Sequence, residues 1–204
     1  MAVAPHALAS QSALAVLREG GNAVEATIAA AATIAVVYPH MNSIGGDGFW
    51  LISRPGEEPV GIEACGAAAL AATIDEYRAR GLTAIPTRGP LAANTVAGTV
   101  SGWQLAQRWS NEALGGKLPA ARLLEDAIYY AKHGVPVTHS QAQCVAGTRA
   151  ELQSIPGFAD TFLPDGRTPA AGERFAMPRL AASLQQLADA GFDDFYRGDL
   201  ARNM

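Results

Sequence analysis

Apolar residues recur at helical spacing at the start of the chain and again in its second half. Leu8, Leu14 and Leu17 predict one face of a first helix, which ends at Gly20-Gly21 because glycine adopts the backbone conformation that closes a helix. Asn22 is a candidate cap for a second helix, which Pro39 terminates. The apolar positions of this second helix are Val24, Ile28, Ala31, Ala32 and Ala35.

A strand pattern follows the two helices. A turn over residues 45–48 leads into residues 49–53, and a loop containing two prolines separates this run from residues 60–64. The two runs predict an antiparallel hairpin. Further helices are predicted over 73–80, through Trp103 and Trp109, from Leu118-Pro119 to Gly134, over 138–153, and through Leu180, Leu184 and Leu187.

Composition narrows the class of protein. Hydrophobic residues make up 49% of the chain and charged residues 17%, which predicts one folded domain rather than disorder. The net charge of −4 and the dispersed basic residues argue against nucleic acid binding. The apolar run Ala29–Ala35 is too short to span a membrane, and no basic segment with a following apolar stretch opens the chain. A cytoplasmic location without a membrane anchor is therefore expected.

Residue types that carry metal or thiol chemistry form no recognisable site pattern. The two cysteines, Cys65 and Cys144, lack metal-ligand spacing and are interpreted as reduced structural thiols, with a disulfide between them left open. Cys65 is expected to be buried, because no His or acidic partner for a nucleophile is evident. The four histidines also lack mutual metal spacing, so neither a metal nor a cofactor is predicted.

Several short motifs occur together over nearly the whole chain. They are Ala4-Pro5-His6, Gly20-Gly21-Asn22-Ala23-Val24, Pro39-His40 with Ile44-Gly45-Gly46 and Gly48-Phe49, Val96 with Gly98 and Gly102, and Phe195-Tyr196 with Gly198. In this order they resemble the γ-glutamyltranspeptidase family of N-terminal-nucleophile hydrolases. The resemblance implies an α+β fold, a four-layer αββα sandwich. Residues 1–204 are its helix-rich large-subunit part, a single domain that is expected to be incomplete.

The resemblance also implies a division of labour between two subunits. Family members are made as a precursor that cuts itself, and the new N-terminal Thr of the small subunit attacks an amide carbonyl to form an acyl-enzyme. This chain matches the first part of the large subunit, so no catalytic residue is expected within it. The expected partners are the small subunit, in a heterodimer that can dimerise further, and a small-molecule amide substrate.

The family's large subunit is expected to bind the glutamyl α-carboxylate through an Arg on the second hairpin strand. In the corresponding segment of this chain, Ile62 takes the place of that Arg and Glu63 matches the Glu that follows it. An uncharged Ile cannot pair with a carboxylate, which indicates a side branch that acts on other amides, such as oxamate or cephalosporin side chains. Both residues are predicted substrate-binding positions. The competing interpretations are core packing for Ile62 and a structural hydrogen bond for Glu63.

Arg88 is the nearest downstream Arg in a predicted loop, and it is the third candidate substrate-binding residue. In this interpretation it replaces the missing Arg, whereas the competing interpretation is a surface Arg that bonds loop carbonyls. The glycines at 45, 46 and 48 are interpreted as turn-formers before the first strand rather than as an anion-binding nest.

The favoured function is the large-subunit segment of an amidohydrolase or acyltransferase, and two other functions remain open. One is a γ-glutamyl hydrolase or transferase that binds glutathione-like substrates through another carboxylate clamp. The other is a non-catalytic scaffold or binding protein that keeps the fold. Substrate assays would distinguish the γ-glutamyl alternative from the favoured function. A downstream Thr in a self-cleavage context would support an enzyme, and its absence would support the scaffold.

Overall fold

The computed structural model describes residues 1–203 as a helix-rich α+β structure. Its N-terminal half contains α1 (Ala7–Arg18), α2 (Ala23–Val37), β1 (Gly48–Ile52), β2 (Val60–Ala64), α3 (Ile74–Ala79) and α4 (Thr99–Leu114). The remainder contains α5 (Ala120–His133), β3 (Val135–Pro136), α6 (His139–Leu152), α7 (Phe158–Phe162), β4 (Arg174–Phe175), α8 (Pro178–Ala190), α9 (Asp194–Arg197) and α10 (Asp199–Asn203). No helix within 1–203 is both long and apolar enough to cross a membrane.

The centre of the fold is α2, which packs against α1, α4 and α5, while α5 packs in turn against α8. Ile28, Ala32 and Val36 of α2 are almost fully buried. The small alanines along this helix let the neighbouring helices approach closely, and interiors packed at crystal-like density gain dispersion energy from such contacts. The predicted helical pair is thus confirmed, and α2 is the helix on which α1, α4 and α5 pack.

The predicted apolar face of α1 is partly wrong. Leu14 is 37% exposed, whereas the buried positions of this helix are Ala9, Ser12, Ala13 and Val16. The helical spacing correctly predicts a helix at this place. The side of the helix that packs on α2 carries small residues, because these allow the two helices to approach closely. The Ser12 hydroxyl is satisfied in this interface, since the buried Thr33 hydroxyl donates to it at 3.0 Å.

The N-terminus of α2 is fixed by a capping box, as the Asn22 prediction requires. The Asn22 side chain accepts hydrogen bonds from the backbone N–H groups of Val24 and Glu25. Glu25 is only 2% exposed, and its Oε2 accepts from the Asn22 backbone N–H at 2.8 Å. Its Oε1 accepts from the backbone N–H groups of Lys117 and Leu118 at 2.7 and 2.8 Å. One buried carboxylate therefore ties the start of α2 to the loop between α4 and α5.

The predicted hairpin is confirmed, with β1 antiparallel to β2 and Trp50 opposite Ile62. One face of the hairpin packs against the helices. The other face carries Phe49 and Leu51, which are 72% and 80% exposed. A second small antiparallel pair, β3 with β4, joins the end of α5 to the segment before α8. This pair is not evident from the sequence, because each strand has only two residues.

Candidate functional site

A groove of about 930 Å³ lies between α2, the loop over residues 39–47 and β1. All residues of β1 line this groove, and none of β2 does. Polar groups reach it from α2, the loop and the start of α4, namely Thr27, His40, Asn42, Ser43, Asp47 and Thr99. We treat this groove, here called the β1 groove, as the candidate site because it is concave, has room for a small molecule and collects several polar groups.

The floor of the β1 groove is an open sheet edge. Within residues 1–203, β1 is hydrogen-bonded to β2 alone, so the backbone N–H and C=O groups along its other edge have no strand partner. Such an edge is a template for the addition of another strand. The groove is therefore shaped to receive an extended segment of polypeptide as well as a small molecule.

The glycine-rich turn that forms one wall of the groove is anchored to α4. The Gly46 carbonyl accepts hydrogen bonds from the backbone N–H groups of Gly98 and Thr99, both at 2.9 Å, and from the Thr99 hydroxyl at 2.8 Å. These three bonds tie the turn to the first residues of α4. Within the turn, the Gly45 N–H donates to the Ser43 hydroxyl at 3.1 Å, which is a local turn contact.

Glycines at the start of α4 let this helix lie against the end of β2. A Cβ atom at Gly98 would lie 2.2 Å from the Ala64 carbonyl oxygen, and one at Gly102 would lie 2.6 Å from the Ala64 Cβ. No side chain fits at either position without displacing backbone. The two glycines therefore set the distance between α4 and the hairpin that carries the candidate residues.

Tyr196 fastens the C-terminal segment to the same region. Its hydroxyl donates to the Ala97 carbonyl at 2.8 Å and accepts from the Ser101 backbone N–H at 2.9 Å. These bonds span more than 90 residues of sequence and hold the first turn of α4 in place. Tyr196 is thus a structural member of the motif set, and its role is not evident from sequence spacing.

Ile62 and Glu63 are neighbours on β2 whose side chains lie on opposite faces of the hairpin. Ile62 is 6% exposed and belongs to the hydrophobic core, whereas Glu63 is exposed and stands opposite Phe49. Core packing accounts fully for an Ile at position 62. Glu63 faces away from that core, on the surface shared with Phe49 and Leu51. Their roles in substrate binding remain predictions.

Arg88 lies in the long connection between β2 and α4 and is exposed. Its Nη1 is 3.3 Å from a carboxylate oxygen of Glu151 on α6. The structure therefore places Arg88 in a surface ion pair rather than against Ile62 or Glu63. Exposed pairs of this kind contribute little to stability, so the pair does not by itself hold Arg88 away from a ligand.

The prediction that Cys65 is buried is wrong, because Cys65 is exposed at the end of β2. The strand ends here, and the side chain of Cys65 continues the outward-facing side of Glu63 and Gly61. Both Cys65 and Cys144 are free thiols.

His40 is the one imidazole that lines the β1 groove within residues 1–203. Its ring lies 4.2 Å from the Tyr38 ring, centroid to centroid. Both ring nitrogens are buried without a hydrogen-bond partner in this part of the chain. Burial lowers the pKa of His40 below its ordinary value, since the charged imidazolium loses hydration. The shift favours the uncharged imidazole at the wall of the groove.

Comparison with known proteins agrees with the motif pattern. A family model described as gamma-glutamyltranspeptidase matches residues 9–204. The chain belongs to the γ-glutamyltranspeptidase family. The family resemblance stated from the motifs is thereby confirmed.

Curated relatives in this family are longer than the chain. The oxamate amidohydrolase proenzyme of Klebsiella pneumoniae is 58% identical over 204 residues, which cover 100% of this chain and 38% of that protein. The glutathione hydrolase-like YwrD proenzyme of Bacillus subtilis is 40% identical over 205 residues, again covering 100% of this chain and 38% of that protein. The chain thus spans well under half the length of these relatives.

Solved structures show the same fold. A γ-glutamyltranspeptidase from Pseudomonas nitroreducens, complexed with L-DON, is 35% identical with a TM-score of 0.87, covering 100% of this chain and 58% of that one. A cephalosporin acylase from Bacillus halodurans is 32% identical with a TM-score of 0.85, covering 96% of this chain and 36% of that one. The predicted N-terminal-nucleophile hydrolase fold is confirmed.

Proposed function

We propose that this chain is the first part of the large subunit of an amide-cleaving enzyme, and that the nucleophile is a Thr on a small subunit cut from the same precursor. The name proenzyme, carried by relatives 58% and 40% identical, supports a processed precursor. In this reaction the Thr hydroxyl attacks the amide carbonyl while the Thr α-amine takes up its proton. The C–N bond then breaks, the amine leaves with this proton, and the acyl group stays on the Thr oxygen as an ester. Water or an acceptor amine attacks the ester carbonyl, takes the acyl group and returns a proton to the Thr oxygen.

The β1 groove supports a specific mode of subunit contact. A strand of the small subunit would pair with the free edge of β1 and bury Phe49 and Leu51, which are 72% and 80% exposed here. Main-chain hydrogen bonds supply affinity in such strand addition, and the side-chain pockets supply register. The small subunit would thereby reach the hairpin that carries Ile62 and Glu63.

The proposed substrate is a small amide acid such as oxamate, and the observation that carries this proposal is Ile62. By the motif match, the place of the family's carboxylate-binding Arg falls on Ile62, a core residue that is 6% exposed. A bidentate Arg–carboxylate pair is among the stronger protein contacts, so without it a glutamyl α-carboxylate would lack its counter-charge. Oxamate also carries a carboxylate, but this group is bonded directly to the amide carbon, so it would lie beside the Thr nucleophile and does not need a cation at position 62. The relative that is 58% identical is named for oxamate, which agrees with this assignment.

The test is a comparison of kcat/KM for oxamate and for a γ-glutamyl anilide with the full-length protein. We expect oxamate to be the better substrate by at least about tenfold, the equivalent of one lost charged hydrogen bond. Ile62→Leu is the matched control for packing, and Ile62→Arg should shift the ratio toward the anilide if it still folds. A wild-type preference for the γ-glutamyl anilide would refute the assignment. Residues 1–204 alone should cleave neither substrate.

A second candidate is a glutathione-like specificity, favoured by the relative named as glutathione hydrolase-like. In this case Arg88 would leave its surface pair with Glu151 and bind a substrate carboxylate. Arg88→Ala should then lower kcat/KM for a glutathione-like substrate. Arg80→Ala is the control, because Arg80 is exposed and paired with Glu76 on α3. An unchanged kcat/KM in Arg88→Ala excludes this role.

A further inference from the structure

A second, smaller cavity of about 310 Å³ lies on the other side of the loop that borders the β1 groove. We call it the rear cavity; it opens to solvent and is bordered by residues 42–44, α7 and the first turn of α8. Its volume is near the lower end of the range of about 300 to 1,000 Å³ found for small-molecule sites. No part of the proposed amide chemistry uses this cavity.

The wall of the rear cavity is apolar and irregular. It is formed by Ile44, Phe162, Met177 and Leu180. Met177 is 7% exposed, and its unbranched side chain adapts to ligands of different shape. A compact apolar group, such as a branched aliphatic side chain, would leave water on entering this space.

Two opposite charges lie at the mouth of the cavity. Arg179 Nη1 and Asp160 Oδ2 are 3.8 Å apart, which is longer than a hydrogen bond. Their side chains are 86% and 67% exposed. Within residues 1–203 neither charged group makes a hydrogen bond, so both have free bonding capacity.

The backbone next to Arg179 adds donors at the same place. Helix α8 starts at Pro178, and its capping residue Met177 makes no side-chain hydrogen bond to the first turn. The first N–H groups of a helix have no partner within the helix and favour negative charge. Pro178 has no N–H and the Ala181 N–H is bonded to the Met177 carbonyl, so the donors left in this turn are the N–H groups of Arg179 and Leu180. Donors for a carboxylate and an acceptor for an ammonium group therefore flank one apolar cavity.

We propose that the rear cavity binds an apolar α-amino acid as a zwitterion. Its carboxylate pairs with Arg179, its ammonium group pairs with Asp160, and its side chain lies against Phe162, Met177 and Leu180. A simple acid or a simple amine satisfies only one of the two charges. Charge complementarity thus selects the amino acid over both. This site is independent of the proposed amide hydrolysis.

The test is calorimetric titration of the full-length protein with L-leucine, alongside 4-methylpentanoate and isopentylamine, which each lack one charged group. We expect saturable binding of L-leucine that weakens about tenfold or more in Arg179→Gln and in Asp160→Asn, since each change removes one charged hydrogen-bond partner. Arg197→Gln is the matched control, because Arg197 is an exposed Arg paired with Asp193 on α9.

Three results would overturn the proposal. They are no saturable binding of L-leucine, binding of either single-charge analogue as tight as that of L-leucine, or L-leucine affinity unchanged in both variants. Amide hydrolysis measured on the same preparations separates the two proposals. Arg179→Gln and Asp160→Asn should leave hydrolysis unchanged, so a protein inactive on amides can still show the leucine site. Leucine bound in the β1 groove instead would be insensitive to both substitutions.

Discussion

Substitution of Glu25 tests whether one buried carboxylate sets the position of α2. Glu25 is 2% exposed and accepts three backbone hydrogen bonds, from Asn22 at 2.8 Å, Lys117 at 2.7 Å and Leu118 at 2.8 Å. Gln has nearly the same shape but only one acceptor oxygen. In Glu25→Gln the amide nitrogen must therefore face at least one N–H donor.

The magnitude follows from the number of bonds affected. A hydrogen bond to a charged group contributes about 1.5 to 3 kcal/mol, and a buried donor left without a partner costs about 1 to 3 kcal/mol. Glu25→Gln keeps the bonds to Lys117 and Leu118 at best, so we expect a loss of about 2 to 3 kcal/mol. Glu25→Ala removes all three bonds, and about 3 to 5 kcal/mol is expected.

Amide hydrogen exchange is the most direct assay, because it reports on the bonded N–H groups themselves. Exchange at Lys117 and Leu118 should accelerate in Glu25→Ala, and the midpoint of urea unfolding should fall in both variants. Glu57→Gln is the matched control, since Glu57 is 51% exposed and paired with Arg54. Equal midpoints for Glu25→Gln and Glu57→Gln would refute the structural role assigned to Glu25.

Two further predictions concern helix packing and pH. Gly98→Ala should lower the unfolding midpoint by the equivalent of about 2 kcal/mol or more, because its Cβ would lie 2.2 Å from the Ala64 carbonyl oxygen. Gly147→Ala should instead gain about 0.5 to 1 kcal/mol, since this position within α6 is open; equal effects would contradict the packing argument. His6 caps α1 by accepting from the Leu8 N–H, and burial lowers its pKa. The capping bond therefore stabilises the fold above about pH 6.5, and this stabilisation is lost as the pH falls through the lowered folded-state pKa. Between pH 7 and pH 5, the melting temperature of the wild type should fall more than that of His6→Asn.

Local sequence signals predict the longer helices and the β1–β2 hairpin, but not which face of each helix is buried. Asn22 and Glu25 stand three residues apart, as a capping box requires, and α2 begins where Asn22 predicts. The predicted buried face of α1 was wrong at Leu14. Large apolar residues usually mark the buried face of a helix, whereas α1 packs on α2 through Ala9, Ala13 and Val16. Which face of a helix is buried depends on the helix that it packs against, and the sequence of α1 alone does not contain that information.

Long-range contacts were the part that sequence could not supply. The Glu25 carboxylate bonds to N–H groups more than 90 residues away, and Tyr196 reaches Ser101 over a similar separation. Neither contact follows from a spacing rule, because each joins segments that are far apart in the sequence. The candidate site shows the same limit. Alternation along β2 separates Ile62 from Glu63, but only the fold shows that Ile62 faces the core.

The glycines of the family motifs divide into two physical classes, and this division bears on the proposed partner. Gly98 and Gly102 are required by the packing of α4 on Ala64. By contrast, a Cβ at Gly45 or Gly46 would meet only ordinary contacts within residues 1–203, and neither residue has a positive φ. Nothing in the described part of the chain requires glycine at these two positions, and Gly46 lines the β1 groove. A small subunit strand that approaches their backbone closely would require it, so Gly46→Ala should impair subunit assembly more than folding of the large subunit.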